Sequence, residues 1–171
     1  MQTFLAPMLF KHRRCHLITL QTFNLRSEAK HSPKGRVYCD TCRAGFETNV
    51  TTYIKGAKVR LECKRFGTEK VERALDGVTD ETGTYKIELK DSHPEDICEV
   101  VLIQSPLADC NKIQALRDRA RVELTRNIGI SDNLRLANSL GYLKDVPLPV
   151  CAQLLKQFKS ADDDDDDQVK A

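Results

Sequence analysis

The chain of 171 residues has no tryptophan and only four tyrosines and six phenylalanines, so aromatic side chains can fill little of its core. It lacks any stretch of about 20 apolar residues, which excludes a membrane-spanning helix. Runs of five or more Lys or Arg are also absent, and 27 basic against 25 acidic residues give a formal net charge of +2. Without a basic stripe, we expect no nucleic-acid partner.

A catalytic group of residues is missing as well. His12, His16 and His31 lie in the first 33 residues, and His93 stands in a charged segment before Pro94. None of the four histidines lies near a nucleophile with a third, orienting group, and the carboxylate pairs fall in predicted turns. We therefore expect no enzymatic activity, no cofactor and no resident metal.

The charge pattern divides the chain into three segments. Residues 1–33 contain two short apolar stretches separated by KHRRCH, and we interpret them as an atypical leader or mispredicted first segment that adds nothing to the fold. Residues 34–160 are long enough for one domain. Residues 161–171 include six consecutive aspartates, residues 162–167, which repel one another and predict a disordered, solubilising tail.

Cysteine usage is the strongest signal in the sequence. Cys39 and Cys42 form a C-x-x-C pair, but no second close pair completes a zinc site. The pair follows a predicted strand and opens no helix, which argues against a thioredoxin-like redox motif. Six cysteines in a domain with a thin core predict structural disulfides and an oxidising, extracellular compartment. They are Cys39, Cys42, Cys63, Cys98, Cys110 and Cys151, with Cys15 left over in the first segment.

Alternation of apolar and charged residues predicts a β-rich domain. Val59, Leu61 and Cys63 alternate with charged residues, as in a half-buried strand, and residues 99–103, which are apolar after Glu99, are typical of a central strand. Further strands are predicted around Val37 and Cys39, around Tyr85, Ile87 and Leu89, and around Ala120, Val122 and Leu124.

Turn chemistry predicts a hairpin over residues 77–89. Asp80 is a favoured first residue of a tight turn, and Gly83 supplies the positive φ that closes it. Near the C-terminus, helical spacing of apolar residues over 131–141 predicts a short helix or a structured loop. Apolar residues after Cys151 predict a final amphipathic turn or two of helix.

A glycan acceptor lies in the loop that follows the C-x-x-C pair. Asn49, Val50 and Thr51 form an N-x-T triplet between two predicted strands, so a glycan there would not obstruct packing. In a secreted domain we expect Asn49 to be glycosylated. The loop, residues 43–52, is also the surface that we expect to bind a partner, because it is anchored at Cys42.

Three segments resemble the pollen Ole e I family, secreted plant proteins named for the major olive pollen allergen. They are GRVYCDTCR from Gly35, GAKVRLEC ending at Cys63, and SLGYLKDVPLPVC ending at Cys151. The resemblance covers residues 35–158. It implies an all-β fold, a single seven-stranded antiparallel barrel or sandwich held by three disulfides, with short helical turns near the C-terminus.

The resemblance also implies a disulfide pairing that the residues alone leave open. Taken in order, it joins Cys39 to Cys110, Cys42 to Cys151 and Cys63 to Cys98. No catalytic residue is attached to the shared motifs.

The function that the resemblance implies is that of a secreted, non-enzymatic plant protein. It would act in signalling or cell-wall interaction during pollen germination and tube growth, and it would be a potential pollen allergen. Its partner would be a protein at the cell surface or in the wall, for example a receptor kinase. The alternative is a secreted inhibitor or a small-ligand carrier built on the same disulfide-linked domain. An inhibitor would need a rigid protruding loop, and a carrier would need an apolar cavity.

Overall fold

The computed structural model describes residues 31–89, 96–124 and 133–163, and within them the chain is mostly β. The described elements are β1 Ser32–Asp40, β2 Thr52–Tyr53, β3 Lys58–Arg65, β4 Val71–Val78, β5 Thr84–Lys86, β6 Asp96–Gln104, β7 Cys110–Ile113, β8 Arg119–Val122, β9 Leu134–Leu136, β10 Leu140–Lys144 and the helix α1 Cys151–Asp163. The mainly β prediction is confirmed.

The strands form two sheets that share one core. In the first sheet the order is β2-β1-β10-β7, and the N-terminal half of β1 pairs with β5 and β9 instead. The second sheet has the order β4-β3-β6-β8 and its described pairs are antiparallel. Buried side chains of both sheets make a single cluster, so the sheets pack face to face as a sandwich.

The predicted seven-stranded antiparallel barrel is wrong in three respects. The described part of the chain contains ten strands, neither sheet closes on itself, and β1 runs parallel to both β9 and β10. Parallel neighbours need a long crossover, and here nearly the whole intervening chain provides it. Of the two architectures that the resemblance offered, the sandwich is the one observed.

The predicted strands with clear alternation are confirmed. Val59, Leu61 and Cys63 on β3 point into the core while their neighbours are exposed or half-buried. The apolar run at residues 99–103 belongs to β6, which lies between β3 and β8 and is therefore central, as predicted. Ala120 and Val122 on β8 are likewise buried.

The turn at residues 80–83 forms as predicted, but it does not join a hairpin. Gly83 has a φ of 72° and donates its N–H to the carbonyl oxygen of Asp80 at 3.0 Å. However, β4 pairs with β3, whereas β5 pairs with β1. The turn therefore carries the chain from the second sheet to the first. Asp80 and Gly83 favour a turn at this place, but they do not determine that β5 pairs with β1 and not with β4.

The C-terminal predictions have a mixed outcome. The short helix over residues 131–141 is wrong, because residues 134–136 and 140–144 are the strands β9 and β10; Ser131 lies outside the described residues. The loop alternative is also wrong for these residues. The final helical turns are confirmed as the 13-residue helix α1. In the described part of the chain, no helix is both long and apolar enough to cross a membrane.

The first strand begins earlier than expected. The boundary predicted between residues 33 and 34 lies inside β1, because His31, Ser32 and Pro33 are buried and hydrogen bonded to neighbouring chain segments. The described domain thus includes three residues assigned to the leader. Residues 1–30, which contain Cys15, and the acidic run after residue 163 lie outside the described residues.

Three disulfides link distant parts of the domain. Cys39–Cys110 connects β1 to β7, Cys42–Cys151 connects the loop after β1 to the first residue of α1, and Cys63–Cys98 joins opposite residues of β3 and β6. The pairing is the one that the resemblance implies.

Candidate functional site: a covalently anchored loop

The loop after β1, residues 43–52 (the anchored loop), is organised by a buried carboxylate. Asp40 is 2% exposed, and its two carboxylate oxygens accept hydrogen bonds from the N–H groups of Cys42 (3.2 Å), Ala44 (3.0 Å) and Gly45 (2.7 Å). Backbone N–H groups that would otherwise be unsatisfied therefore converge on one anion, as in an Asx turn. Gly45 completes this bend with a φ of 84°, a conformation that glycine adopts without strain.

A second set of contacts fixes the base of the anchored loop to the C-terminal part of the chain. Cys42 is bonded to Cys151 at the start of α1, across 109 residues of sequence. The carbonyl oxygen of Thr41 accepts a hydrogen bond from the N–H of Leu148 at 3.0 Å. The hydroxyl of Thr41 donates a hydrogen bond to the carbonyl oxygen of Val50, also at 3.0 Å, and this bond ties the two ends of the loop together.

The predicted glycan acceptor lies at an exposed turn of this loop. Asn49 is exposed, between Thr48 and Thr51. The N–H of Thr51 donates to the carbonyl oxygen of Thr48 at 3.1 Å, and the N–H of Thr48 donates to the hydroxyl of Thr51 at 2.8 Å. The turn presents the Asn49 amide to solvent, which is the placement that glycosylation requires; the modification itself stays a prediction.

Two aromatic rings meet where the anchored loop contacts α1. The ring centroids of Phe46 and Phe158 lie 5.2 Å apart with an interplanar angle of 71°, an edge-to-face contact. Phe158 follows Cys151 by seven residues, which puts both on the same face of the helix. Despite their contact, the rings remain 36% and 46% exposed. We call Phe46 and Phe158 the aromatic pair.

The anchored loop also carries charged side chains that are held by hydrogen bonds. Arg43 has a φ of 54°, and its guanidinium donates a hydrogen bond to the carbonyl oxygen of Lys144 at 2.8 Å, which ties this exposed side chain to β10. The carboxylate of Glu47 accepts a hydrogen bond from the hydroxyl of Tyr53 at 3.4 Å. The loop therefore presents a cation, an anion and the exposed ring of Phe46.

Of the catalytic candidates considered in the sequence, His31 and Asp80 lie in the described part of the chain. His31 is buried in a bridge with Leu89, and His93 and Glu95 lie outside the described residues. Hydrogen bonds from the side chain of Thr82 and from backbone N–H groups lower the pKa of Asp80. The lowered pKa is therefore explained mainly by the geometry of the turn. In the ranges that the structure describes, no three His, Cys, Asp or Glu side chains cluster as metal ligands would.

A groove on the outer face of the second sheet has a volume of about 480 Å³ and opens to solvent. Its lining is mainly charged or polar, and includes Glu62, Lys64, Glu69, Glu99 and Arg119. A carrier of small apolar molecules needs an apolar pocket, so this groove does not favour that function.

The sequence identified the position of the anchored loop and Asn49 but missed Asp40 and the aromatic pair. The pattern D-T-C-R-A-G, a carboxylate five residues before a glycine, is the signal that could have revealed the role of Asp40. The contact between Phe46 and Phe158 joins residues 112 positions apart, and the pairing of Cys42 with Cys151 was the available clue to it.

Comparison with known proteins shows what this arrangement resembles. A family model described as "Pollen protein Ole e 1 like" matches residues 29–159. Pollen-specific protein C13 of Zea mays is 77% identical over 132 residues, which cover 77% of this chain and 78% of that protein. Major pollen allergen Lol p 11 of Lolium perenne is 46% identical over 125 residues, covering 72% and 93%. The crystal structure of the major plantain pollen allergen Pla l 1 superposes with a TM-score of 0.64 at 28% identity, covering 70% of this chain and 98% of that one.

Proposed function

Because the chain belongs to the Ole e 1 family of pollen proteins, we propose that it acts outside the cell as a non-enzymatic ligand of a cell-surface protein. The relatives that it matches are named as pollen-specific proteins and pollen allergens, and those names carry no catalytic activity. A role during pollen germination or tube growth, with a receptor kinase as the partner class, is part of the same proposal. The chain is also a potential pollen allergen.

The observation that carries this proposal is the rigid, exposed aromatic pair. Phe46 is held by a loop that Asp40 organises, and Phe158 by a helix that begins at a disulfide. Aromatic side chains fixed before binding lose little conformational entropy in a complex, and such residues dominate the energetics of many interfaces. Arg43 and Glu47 belong to the same loop as Phe46, and their charges would set the orientation of the partner.

The experiment that tests this function removes the two rings without disturbing the frame. We expect the double variant Phe46→Ala/Phe158→Ala to lose binding to pollen-tube membrane extracts in a pull-down, by about ten-fold or more. Phe66→Ala is the matched control, because Phe66 is 78% exposed in the turn between β3 and β4. Equal binding by the double variant and wild type would exclude the aromatic pair as the contact surface.

Secretion and glycosylation have a separate test. Mass spectrometry of the extracellular fraction of pollen should detect the protein there, with a glycan on Asn49. An unmodified Asn49 in secreted protein would remove the glycan from this proposal without affecting the aromatic pair.

A secreted inhibitor is the second candidate, and one rigid turn favours it. Leu116 is 90% exposed at a φ of 73°, in a turn closed by the N–H of Arg117 donating to the carbonyl oxygen of Gln114 at 3.2 Å. The carbonyl oxygen of Asp118 accepts from the N–H of Leu102 at 2.8 Å, which fixes the turn to the second sheet. Inhibition of secreted plant proteinases that is lost in Leu116→Gly would support this candidate over a receptor ligand.

A further inference from the structure

Two lysines oppose each other on the outer face of the first sheet. Lys34 on β1 and Lys86 on β5 are register partners, and both are exposed. Like charges directly opposite each other destabilise a sheet, so a chain selected for stability alone would place a carboxylate at one of the two positions.

The geometry of the ladder makes this opposition close. His31 and Leu89 exchange both backbone hydrogen bonds, at 3.1 and 2.9 Å, and the N–H of Ile87 donates to the carbonyl oxygen of Pro33 at 2.9 Å. Hydrogen-bonded and non-hydrogen-bonded pairs alternate along an antiparallel ladder. The pair after Pro33 and Ile87 is therefore a non-hydrogen-bonded one, in which opposing side chains lie closest together.

Neither Lys34 nor Lys86 forms an ion pair in the part of the chain that the structure describes. The charge of Lys34 does act on Asp80, since it is the smallest of the causes that lower the pKa of that carboxylate. Two nearby acidic residues are Asp80 and Glu88. The carboxylate of Asp80 accepts hydrogen bonds from the hydroxyl and N–H of Thr82, so it is engaged within its own turn. Glu88 is exposed on the same face, two residues beyond Lys86.

A third cation and an aromatic ring extend the same face. Arg36 follows Lys34 by two residues, about 7 Å along the strand, and points to the same side. Its guanidinium carbon lies 4.8 Å from the centroid of the Tyr53 ring, and it donates a hydrogen bond to the Tyr53 hydroxyl at 3.2 Å. Tyr53 remains 40% exposed, so the stacked Arg36 is held in place beside accessible aromatic surface.

We propose that this basic face, defined by Lys34, Arg36, Lys86 and Tyr53, binds an acidic carbohydrate polymer, a linear polyuronate. A guanidinium and two ammonium groups in a row suit carboxylates repeated along a chain, and Arg36 can bind one of them through two hydrogen bonds. The flat aromatic surface of Tyr53 suits the C–H face of a sugar ring. Each bound carboxylate also relieves the repulsion between Lys34 and Lys86.

The small apolar surface beside this face favours a carbohydrate over a lipid surface. Among the described residues, its exposed large apolar neighbours are Tyr53, which stacks with Arg36, and Leu136, which is the register partner of Lys34 on β9. An anionic membrane is bound most effectively when a continuous apolar surface enters the interface beside the basic residues. One aliphatic side chain supplies little such surface, whereas the row of cations suits an extended polyanion.

The probe for this inference is polygalacturonate, with its fully methyl-esterified form as the uncharged counterpart. Using the full chain at low salt, we expect calorimetric binding to the acidic polymer and none to the ester. The double variant Lys34→Ala/Lys86→Ala should bind about ten-fold more weakly or worse. Its dependence on salt should also be shallower, because fewer counterions are released from the polyanion.

A charge-matched control separates a defined site from net charge. Lys58→Ala/Lys70→Ala removes the same charge from exposed positions on β3 and in the segment before β4. We expect this variant to bind like wild type. Equal weakening of the two double variants would overturn the proposal, as would binding to the ester, or tighter binding to vesicles containing phosphatidylserine than to the polymer.

The variant Lys86→Glu tests the site while guarding against unfolding. It places a carboxylate opposite Lys34, so its thermal midpoint should equal or exceed that of wild type while binding is lost. Retained binding by this variant would contradict the proposal. Because neither Phe46 nor Phe158 belongs to the basic face, Phe46→Ala/Phe158→Ala should bind polygalacturonate normally, and loss of binding there would also count against the proposal.

Discussion

Tyr38 lies directly opposite Gly141 in the parallel pair of β1 and β10, and its ring occupies the space beside the glycine. A Cβ atom on residue 141 would lie 2.6 Å from Cζ of Tyr38 and 2.8 Å from its hydroxyl oxygen. The ring is 1% exposed, and this burial raises the pKa of its hydroxyl, with the charge of Arg117 acting in the opposite direction. The glycine is thus required by the side chain of its neighbour.

We expect Gly141→Ala to destabilise the domain by about 1–3 kcal/mol, because the added methyl group overpacks the contact with Tyr38. The free energy of unfolding in urea measures this. Combining it with Tyr38→Ala should remove most of the extra cost, since the space is then free. A double variant whose two losses simply add would show that the contact is not the cause.

Residues 31–33 should contribute measurably to stability. Chains starting at residue 31 and at residue 34 differ by His31, Ser32 and Pro33, which are buried and take part in backbone hydrogen bonds with Leu89, Asn133 and other residues. We expect the shorter chain to be less stable by at least about 2 kcal/mol, from the lost hydrogen bonds and buried surface. Equal thermal midpoints for the two truncated chains would contradict this and would support the domain boundary predicted between residues 33 and 34.

Removing a disulfide should cost more when it closes a longer loop. Cys42–Cys151 spans 109 residues and Cys63–Cys98 spans 35. In the chain-entropy account, replacing each pair with alanine costs about 4–5 kcal/mol, with the longer loop costing about 1 kcal/mol more. Urea unfolding of the two double variants measures the difference, and peptide mapping of the oxidised wild type checks the pairing. A larger loss for Cys63–Cys98 would show that packing, and not loop length, dominates.

Stability should fall at alkaline pH through the buried tyrosines. The Tyr142 hydroxyl is buried without a hydrogen-bond partner among the described residues, and burial raises its pKa to about 12. In the unfolded chain this hydroxyl ionises near pH 10. The stability of the folded state that depends on the neutral Tyr142 hydroxyl is therefore fully present below about pH 10, and it is lost as the pH rises towards 12.

The variant Tyr142→Phe tests this dependence. It removes the ionisable hydroxyl and, with it, one buried donor that has no partner among the described residues, so we expect a stability at pH 7 equal to wild type or higher by about 1 kcal/mol. Its unfolding midpoint should fall less between pH 10 and 12. A wild-type slope in the variant would show that other groups control alkaline unfolding.

Local patterns predicted the parts of the fold whose causes are local. The alternation of Val59, Leu61 and Cys63 fixes which face of β3 is buried whatever its partners are. Gly83 is required where the backbone takes a φ of 72°, and that requirement is visible in the sequence. The apolar residues after Cys151 likewise predict a helix because their spacing follows its period.

The wrong predictions concern partners far away in sequence. Leu134, Ala137 and Leu140 have helical spacing, yet Leu134 and Leu140 lie on β9 and β10 because these segments pair with Ser32 and Val37. A strand such as β9, whose described pairing is with β1 about 100 residues earlier in the chain, leaves little mark in its own sequence. The aromatic pair was missed for the same reason, whereas the loop that carries Phe46 was predicted from its neighbouring cysteine and Asn49.

The pairing of β1 with β9 and β10 has a consequence for how the protein is made. The described strands of the second sheet have all been synthesised once Val122 is added, but the parallel pairing of β1 with β10 is complete only after Lys144, the last residue of β10. Such contact order slows folding and makes it largely post-translational. Meanwhile Cys39 and Cys42 carry thiols three residues apart, long before Cys151 emerges, so premature oxidation between them competes with the native bonds. Native pairing then requires thiol–disulfide exchange to reopen any bond between Cys39 and Cys42 before Cys42 can pair with Cys151.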